Sequence, residues 1–216
     1  MTKRIIIPVG TLVLFALFLV VMLATWLLIR PPAIPDELEG VMRPPYRLLT
    51  PFELVDQDGQ PFNRESLDGK WSMVFFGYLS CPDVCPMTLH ELNGFWRLLG
   101  DQTGAKPENL QVVFVSVDPR RDSPKKLGEY VAHFNPAFIG ATAEQHQIDN
   151  LAHQFGAGYV FEEETSPGQY LVAHTSAIFL IDPLGRSVAT FSQPHYASTL
   201  ASQFQRITDY FEDAAG

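Results

Sequence analysis

Residues 5 to 29, IIIPVGTLVLFALFLVVMLATWLLI, run apolar without a single charge. As a helix rising about 1.5 Å per residue, the run covers roughly 37 Å, enough for a hydrocarbon core of about 30 Å. Residues 31 to 47, PPAIPDELEGVMRPPYR, are rich in proline and charge, a composition that predicts a semi-extended spacer. From Leu48 onward apolar runs recur throughout, which suits one domain with a sizeable core over residues 48 to 216.

Two periods alternate within that domain. Phe52 to Phe62 predicts two short strands around an Asp58-Gly59 turn. Trp71 to Tyr78 (WSMVFFGY), Gln111 to Val117 (QVVFVSV) and Ser176 to Ile181 (SAIFLI) are continuous apolar runs of strand length. That is the pattern of central strands covered on both faces. Ser187 to Phe191 is expected to pair back across the turn Asp182-Pro183-Leu184-Gly185. Helical spacing predicts a helix from Pro86 to Leu99, and another from Pro124 to Phe134 with Ser123 as its N-cap. A third is expected from Thr142 to Phe155, opening on the capping-box pattern Thr142-Ala143-Glu144-Gln145 and closing at Gly156. The last, Tyr196 to Glu212, carries Leu200, Phe204, Ile207 and Phe211 on one face. This order predicts an α/β three-layer sandwich with a mixed central sheet, preceded by one N-terminal transmembrane helix over residues 1 to 30.

Charge adds a direction. Lys3 and Arg4 precede the apolar run and Arg30 closes it, and the run is longer than the roughly 7–15 residues of a cleaved signal's core. It continues past Ala24 into Thr25-Trp26-Leu27-Leu28 with no processing site. The expectation is an uncleaved, single-pass signal anchor in a bacterial inner membrane, with the soluble domain in the periplasm. All 24 acidic residues and 12 of the 15 basic ones follow the run, so residues 31 to 216 carry −12. Such a surface repels DNA, RNA and anionic lipid, and steers basic partners and cations. Two cysteines are too few for a disulfide-dense scaffold, or for a four-cysteine zinc or iron–sulfur site in one chain.

Those two cysteines stand where chemistry is expected, in Gly77 to Pro86 (GYLSCPDVCP), between a buried strand and a helix. If the helix starts at Pro86, Cys85 lies near its N-cap and Cys81 in the preceding loop, both at the positive end of the helix dipole, which favours thiolate. The pair then has three outcomes: a structural disulfide, a redox dithiol, or a site for a thiophilic metal. A staple across so short a loop adds little to a large core. Metal binding requires a further ligand, and thiolate plus imidazole selects copper. Of the six histidines, His90 lies about 140° around the helix from Cys85. His146 and His153 are about 10 Å apart along their axis. His133 and His195 sit near helix ends, where a solvated role is ordinary. His174, at the mouth of a central strand, is the candidate, with a satisfied core or surface histidine as the alternative.

Three strings carry a resemblance: FGYLSCPDVCP (Phe76 to Pro86), VSVDPRRDSP (Val115 to Pro124), and the histidine leading into SAIFLIDPLGR (Ser176 to Arg186). In this order they resemble the Sco/SenC family, membrane-anchored thioredoxin-like proteins that help assemble the copper centre of cytochrome c oxidase. The resemblance implies a thioredoxin-like domain in which Cys81, Cys85 and His174 bind copper, as Cu(I) or Cu(II). It also implies two partners, a copper donor protein and the copper-centre subunit of cytochrome c oxidase or another copper-site protein. Asp118 matches an aspartate that the family carries near the metal loop. One position departs: family members commonly have aspartate directly before the histidine, and here it is Ala173. The leading reading is a copper-binding assembly factor, not a turnover enzyme. A thiol–disulfide oxidoreductase acting on the cysteines of a copper-site target is the alternative, and a peroxidase of the thioredoxin superfamily the third. Three residues between the cysteines suit metal better than the Cys-x-x-Cys of redox motifs.

Overall fold

The structure is a computed structural model describing residues 9–28, 33–103 and 109–215. Its first element is a helix, α1 (Val9–Leu28), uncharged along its whole length. The described side chains of α1 run from residue 10 to 26, and among the described residues no helix is long and apolar enough to cross a membrane.

The second half of the expected spacer belongs to the domain instead. After a 3-10 turn at Asp36–Leu38, which buries Leu38, a strand β1 (Met42–Leu48) joins the sheet edge. Pro44 and Pro45 fall where its register with the neighbouring strand shifts, between the pairs at Met42 and Arg47. Proline cannot donate to a ladder, so it is tolerated at an edge and at a bulge. The hairpin β2 (Glu53–Asp56) and β3 (Pro61–Asn63) follows as expected. Then come β4 (Trp71–Gly77), helix α2 (Val84–Thr103) and β5 (Leu110–Ser116). Helix α3 (Pro124–Phe134) has proline at its first position.

Strand β6 (Ile139–Thr142) is a correction to the sequence reading. Thr142 pairs with Val55 in the sheet, so it cannot open a capping box, and α4 (Gln145–Phe155) starts after an N-cap at Glu144. The far end of α4 is as predicted, with Gly156 at φ 66° in the left-handed conformation that closes helices. A separate two-stranded ribbon, β7 (Tyr159–Phe161) and β8 (Val172–His174), precedes β9 (Ile178–Ile181), β10 (Arg186–Phe191) and the final helix α5 (Ala197–Ala215).

The main sheet has eight strands in the order β1-β10-β9-β4-β5-β6-β2-β3. β4, β5 and β6 are parallel neighbours and the other pairings are antiparallel, which is the mixed sheet expected. Successive residues of a strand face opposite layers. From β4, Trp71 meets Phe204 of α5 on one face, where Phe95 of α2 also packs, and Phe114 of β5 meets Tyr130 of α3. On the other face Phe76 and Phe179 pack against Phe155 of α4. The parallel strands β4 and β5 end on the same side of the sheet. There the loops to α2 and α3 emerge, the place where open α/β sheets hold their chemistry.

Candidate metal centre

Cys81 sits in the loop between β4 and α2, and Cys85 in the first turn of α2. The helix begins two residues before the position predicted from Pro86. Proline is tolerated there because first-turn N–H groups have no intrahelical acceptor. Cys85 is wholly buried and Cys81 half-buried, and both are free thiols. The sulfur of Cys85 occupies space left by Gly77, where a Cβ would stand 2.7 Å from Cys85 Sγ and 2.7 Å from Phe114 Cε2.

His174 arrives on β8, directly across from Tyr159 of β7. Its ring is held edge-on by Phe75 at 6.0 Å and Tyr78 at 5.9 Å between centroids. Nδ1 lies 3.1 Å from the carbonyl of Thr175, which only accepts, so Nδ1 carries the proton. Nε2 is thereby left with its lone pair and lies 3.4 Å from Cys85 Sγ. A donor atom from each of Cys81, Cys85 and His174 lies within 4.8 Å of the other two, and among the described residues this is the one such group of three. A backbone acceptor on the far nitrogen is the usual way to orient a metal-ligating imidazole. The donor set, two sulfurs and one nitrogen, suits a soft ion such as copper.

Electrostatics divides the two thiols. Cys81 is drawn down to about 3, chiefly by the hydrogen bond from the Cys85 thiol and also by the backbone around Asp83 and Cys85, against the effect of burial. Cys85 is pushed up, by that same hydrogen bond and by burial. The backbone N–H of Cys85 also donates to Cys81 Sγ at 3.4 Å. Of the two thiolates expected at the helix terminus only Cys81 is favoured, because the expectation was made without the hydrogen bond between the two thiols and the burial of Cys85.

The remaining histidines lie elsewhere. His133 ends α3, His146 and His153 lie on α4, and His90 lines a neighbouring groove. His195, expected at the surface, is buried. Ala173 is exposed opposite Val160 on the ribbon and brings no carboxylate to the site.

A buried polar cluster in the loop after β5 ties the two site-bearing segments together. Asp122, buried in the loop after β5, accepts from the backbone N–H of Leu79 at 2.9 Å and from Ser116 Oγ at 2.6 Å. That bond to Leu79 holds the cysteine loop. Burial raises Asp122 above the usual carboxylate range, against these two hydrogen bonds. Asp118, without solvent exposure, is ion-paired to Arg121 and accepts from Tyr170 Oη at 2.8 Å. Arg121 donates in turn to the Tyr170 carbonyl at 2.9 Å and stacks 3.6 Å over the Tyr170 ring, four residues before His174. Asp118 and Arg121 were visible in VSVDPRRDSP without an assigned role. Nothing in the sequence pointed to Tyr170 or Gly77.

A family model described as SCO1/SenC matches residues 41–209, nearly all of the domain. The chain belongs to the SCO1/SenC family. A protein of Stutzerimonas stutzeri named for copper binding is 38% identical over 153 residues, 71% of this chain and 73% of that one. Among solved structures, Arabidopsis thaliana ScoI with copper bound is 31% identical, with a TM-score of 0.69 over 76% of this chain and 100% of that one. Yeast Sco1 with copper bound is 32% identical, with a TM-score of 0.69 over 75% of this chain and 88% of that one. The thioredoxin-like α/β architecture expected from the resemblance is therefore that of this SCO1/SenC domain.

Proposed function

We propose that this SCO1/SenC chain binds one copper ion through Cys81, Cys85 and His174 and passes it to, or prepares, the copper centre of cytochrome c oxidase. The observation that carries the reading is the convergence of two sulfurs and an oriented imidazole within 4.8 Å, from two segments 89 residues apart in chain, in a domain from a family of cytochrome c oxidase assembly proteins. The copper ion is cargo, and the chain's task is to hold it without trapping it. Cys85 and His174 stand on regular elements, whereas Cys81 lies half-buried in a loop, where an incoming ligand can replace it. The apolar run at residues 5 to 29 supports a tether in a bacterial inner membrane, and Lys3 and Arg4 before it, which favour the cytoplasmic side, support a periplasmic placement of the domain that follows.

The test is titration of the reduced chain with Cu(I) and with Cu(II), following bound metal and the thiolate-to-Cu(II) charge-transfer absorption, with His174→Ala alongside. One tightly held copper per chain is expected, weakened about 100-fold by the substitution, the upper range for disturbing a metal site's ligand environment. Equal affinity in the variant would remove His174 from the ligand set.

Proton release gives an independent check. Ligand sulfurs must be deprotonated, and the folded chain already holds Cys81 as thiolate while Cys85 keeps its proton. Between about pH 7.5 and pH 8.5, Cu(I) binding is expected to release one proton per metal, so the apparent affinity rises about tenfold per pH unit. Calorimetry in buffers of different ionisation enthalpy counts the protons, and a count of two would contradict the division of the thiols.

That same division favours a second reading, a thiol–disulfide oxidoreductase. The Cys81 thiolate attacks one sulfur of a target disulfide, releasing the other as thiolate. Cys85, losing its proton, then attacks Cys81 and frees the reduced target, leaving a Cys81–Cys85 disulfide. This sequence does not require His174. A His174→Ala chain that loses copper yet reduces the target at the wild-type rate would make this the main activity.

A further inference from the structure

A groove of about 820 Å³ opens between the first turns of α2, which also carry Cys85, and the segment joining β10 to α5. Pro86, Met87 and Thr88 form one wall, and Pro194, His195 and Tyr196 the other. Met87 and Tyr196 are 57% and 59% exposed. Thr88 and His195 are buried, at 1% and 9% exposure, and each keeps a polar atom without a hydrogen-bond partner, Thr88 Oγ1 and His195 Nδ1. Buried polar atoms are ordinarily paired, because leaving one stranded is costly. Of six such stranded atoms among the described residues, these two belong to side chains that line the same groove.

The chemistry of the two atoms is complementary. His195 Nε2 lies 2.8 Å from the Ser176 carbonyl, so Nε2 carries the proton. Burial lowers the basicity of the ring, which leaves Nδ1 as a bare acceptor. The Thr88 hydroxyl supplies a donor. An acceptor and a donor set among apolar walls match the N–H and C=O of an extended peptide flanked by apolar side chains. Glu91 adds a carboxylate to the lining, and residues 31 to 216 carry −12, which complements a basic flank on that peptide. The groove and the metal centre share the first turn of α2, where Pro86 and Met87 of the groove directly follow Cys85.

We propose that this groove binds an extended, apolar segment with a basic flank on the protein that takes copper from Cys81, Cys85 and His174, and so holds the acceptor beside the metal during exchange. The inference rests on the copper-exchange reading above. Its contacts are separate from the metal ligands, so acceptor binding and copper affinity can be changed independently.

The test uses the full-length chain loaded with Cu(I), and as probe the reduced, metal-free copper-centre domain of cytochrome c oxidase from the same organism. Transfer rates against probe concentration are compared for wild type, Thr88→Val and Tyr196→Glu. Copper stoichiometry and affinity are expected to be unchanged in both variants. The half-saturating probe concentration is expected to rise about fivefold in Thr88→Val, the scale of one hydrogen bond, with the saturated rate retained. In Tyr196→Glu, which sets a charge in the apolar wall, it is expected to rise about tenfold or more. Thr88→Val is also expected to keep or raise the thermal midpoint, since it replaces an unpartnered hydroxyl by a methyl of the same shape, so weaker docking in that variant is not a folding defect. Equal half-saturation in all three chains, no transfer from copper-loaded wild type to this probe, or a dimer of the chain that Tyr196→Glu dissolves would overturn the proposal. Wild type without tight copper would sink the earlier reading and this one with it, an outcome that metal analysis reads alone.

Discussion

Alanine at Gly77 is expected to lower the thermal midpoint of the metal-free chain by about 4–12 °C, the result of about 2–3 kcal/mol of overpacking in a chain of this size. Copper affinity is expected to fall about tenfold or more, the range for disturbing the surroundings of a metal ligand. The cause is local: the new Cβ would meet Cys85 Sγ and Phe114 Cε2, each at 2.7 Å, closer than packed carbon atoms approach. Phe114 cannot give way, because its ring is wholly buried between Phe75 at 6.0 Å and Tyr130 at 5.7 Å. The Cys85 sulfur must therefore move, and it is a proposed ligand. Gly94→Ala is the control. There a Cβ would stand 2.8 Å from Ala197 Cβ at the contact of α2 with α5, so that variant is expected to lose stability and keep its copper affinity. Thermal unfolding and competition with a Cu(I) chelator separate the two effects. A Gly77→Ala chain with unchanged affinity would mean that the sulfur's position does not govern binding.

How far the fold was legible depended on how each strand is covered. β4, β5 and β9 stood out because helices pack on both faces of the sheet around them, so every side chain but Gln111 is apolar or small. β1 did not, because Pro44, Pro45 and the two arginines Arg43 and Arg47 read as spacer. An edge strand needs a ladder on one side only and tolerates all four. β6 is four residues long, too short for a period to register, and its Thr142 imitated a helix cap. The ribbon that carries His174 is shorter still, three residues per strand, and its position over the cysteines comes from contacts distant in sequence.

The site was legible to the same extent. The cysteines could be placed at the strand-to-helix corner because Pro86 restricts where a helix can start. His174 stood out from five other histidines only through its place before a central strand and the family resemblance. The unequal thiols were not legible, since they follow first from the hydrogen bond between Cys81 and Cys85 and then from the complete burial of Cys85 in the space that Gly77 leaves. Nor was the link from Asp118 to Tyr170, which spans 52 residues of chain.

That link carries the second large effect. Asp118→Ala is expected to destabilise the metal-free chain by about 3–4 kcal/mol, the cost of breaking a buried ion pair from one side. The carboxylate has no solvent exposure, so its loss strands the Tyr170 hydroxyl and leaves Arg121 with only the carbonyls of Gly168 and Tyr170 as acceptors. Asp118→Asn keeps an acceptor for Tyr170 and is expected to lose less. Asp118→Ala/Arg121→Met removes both charges, and replacing a buried pair by apolar groups is often close to neutral, so this variant is expected to recover about half of the lost stability in urea unfolding. Copper affinity should not recover with it. The Arg121 bond to the Tyr170 carbonyl fixes the chain four residues before His174, and that bond is absent in the double variant whatever its stability. A double variant that regains both stability and copper affinity would reduce the cluster to packing. Regained stability with weakened copper binding would identify Arg121 and Asp118 as positioning residues that hold the imidazole over the two sulfurs.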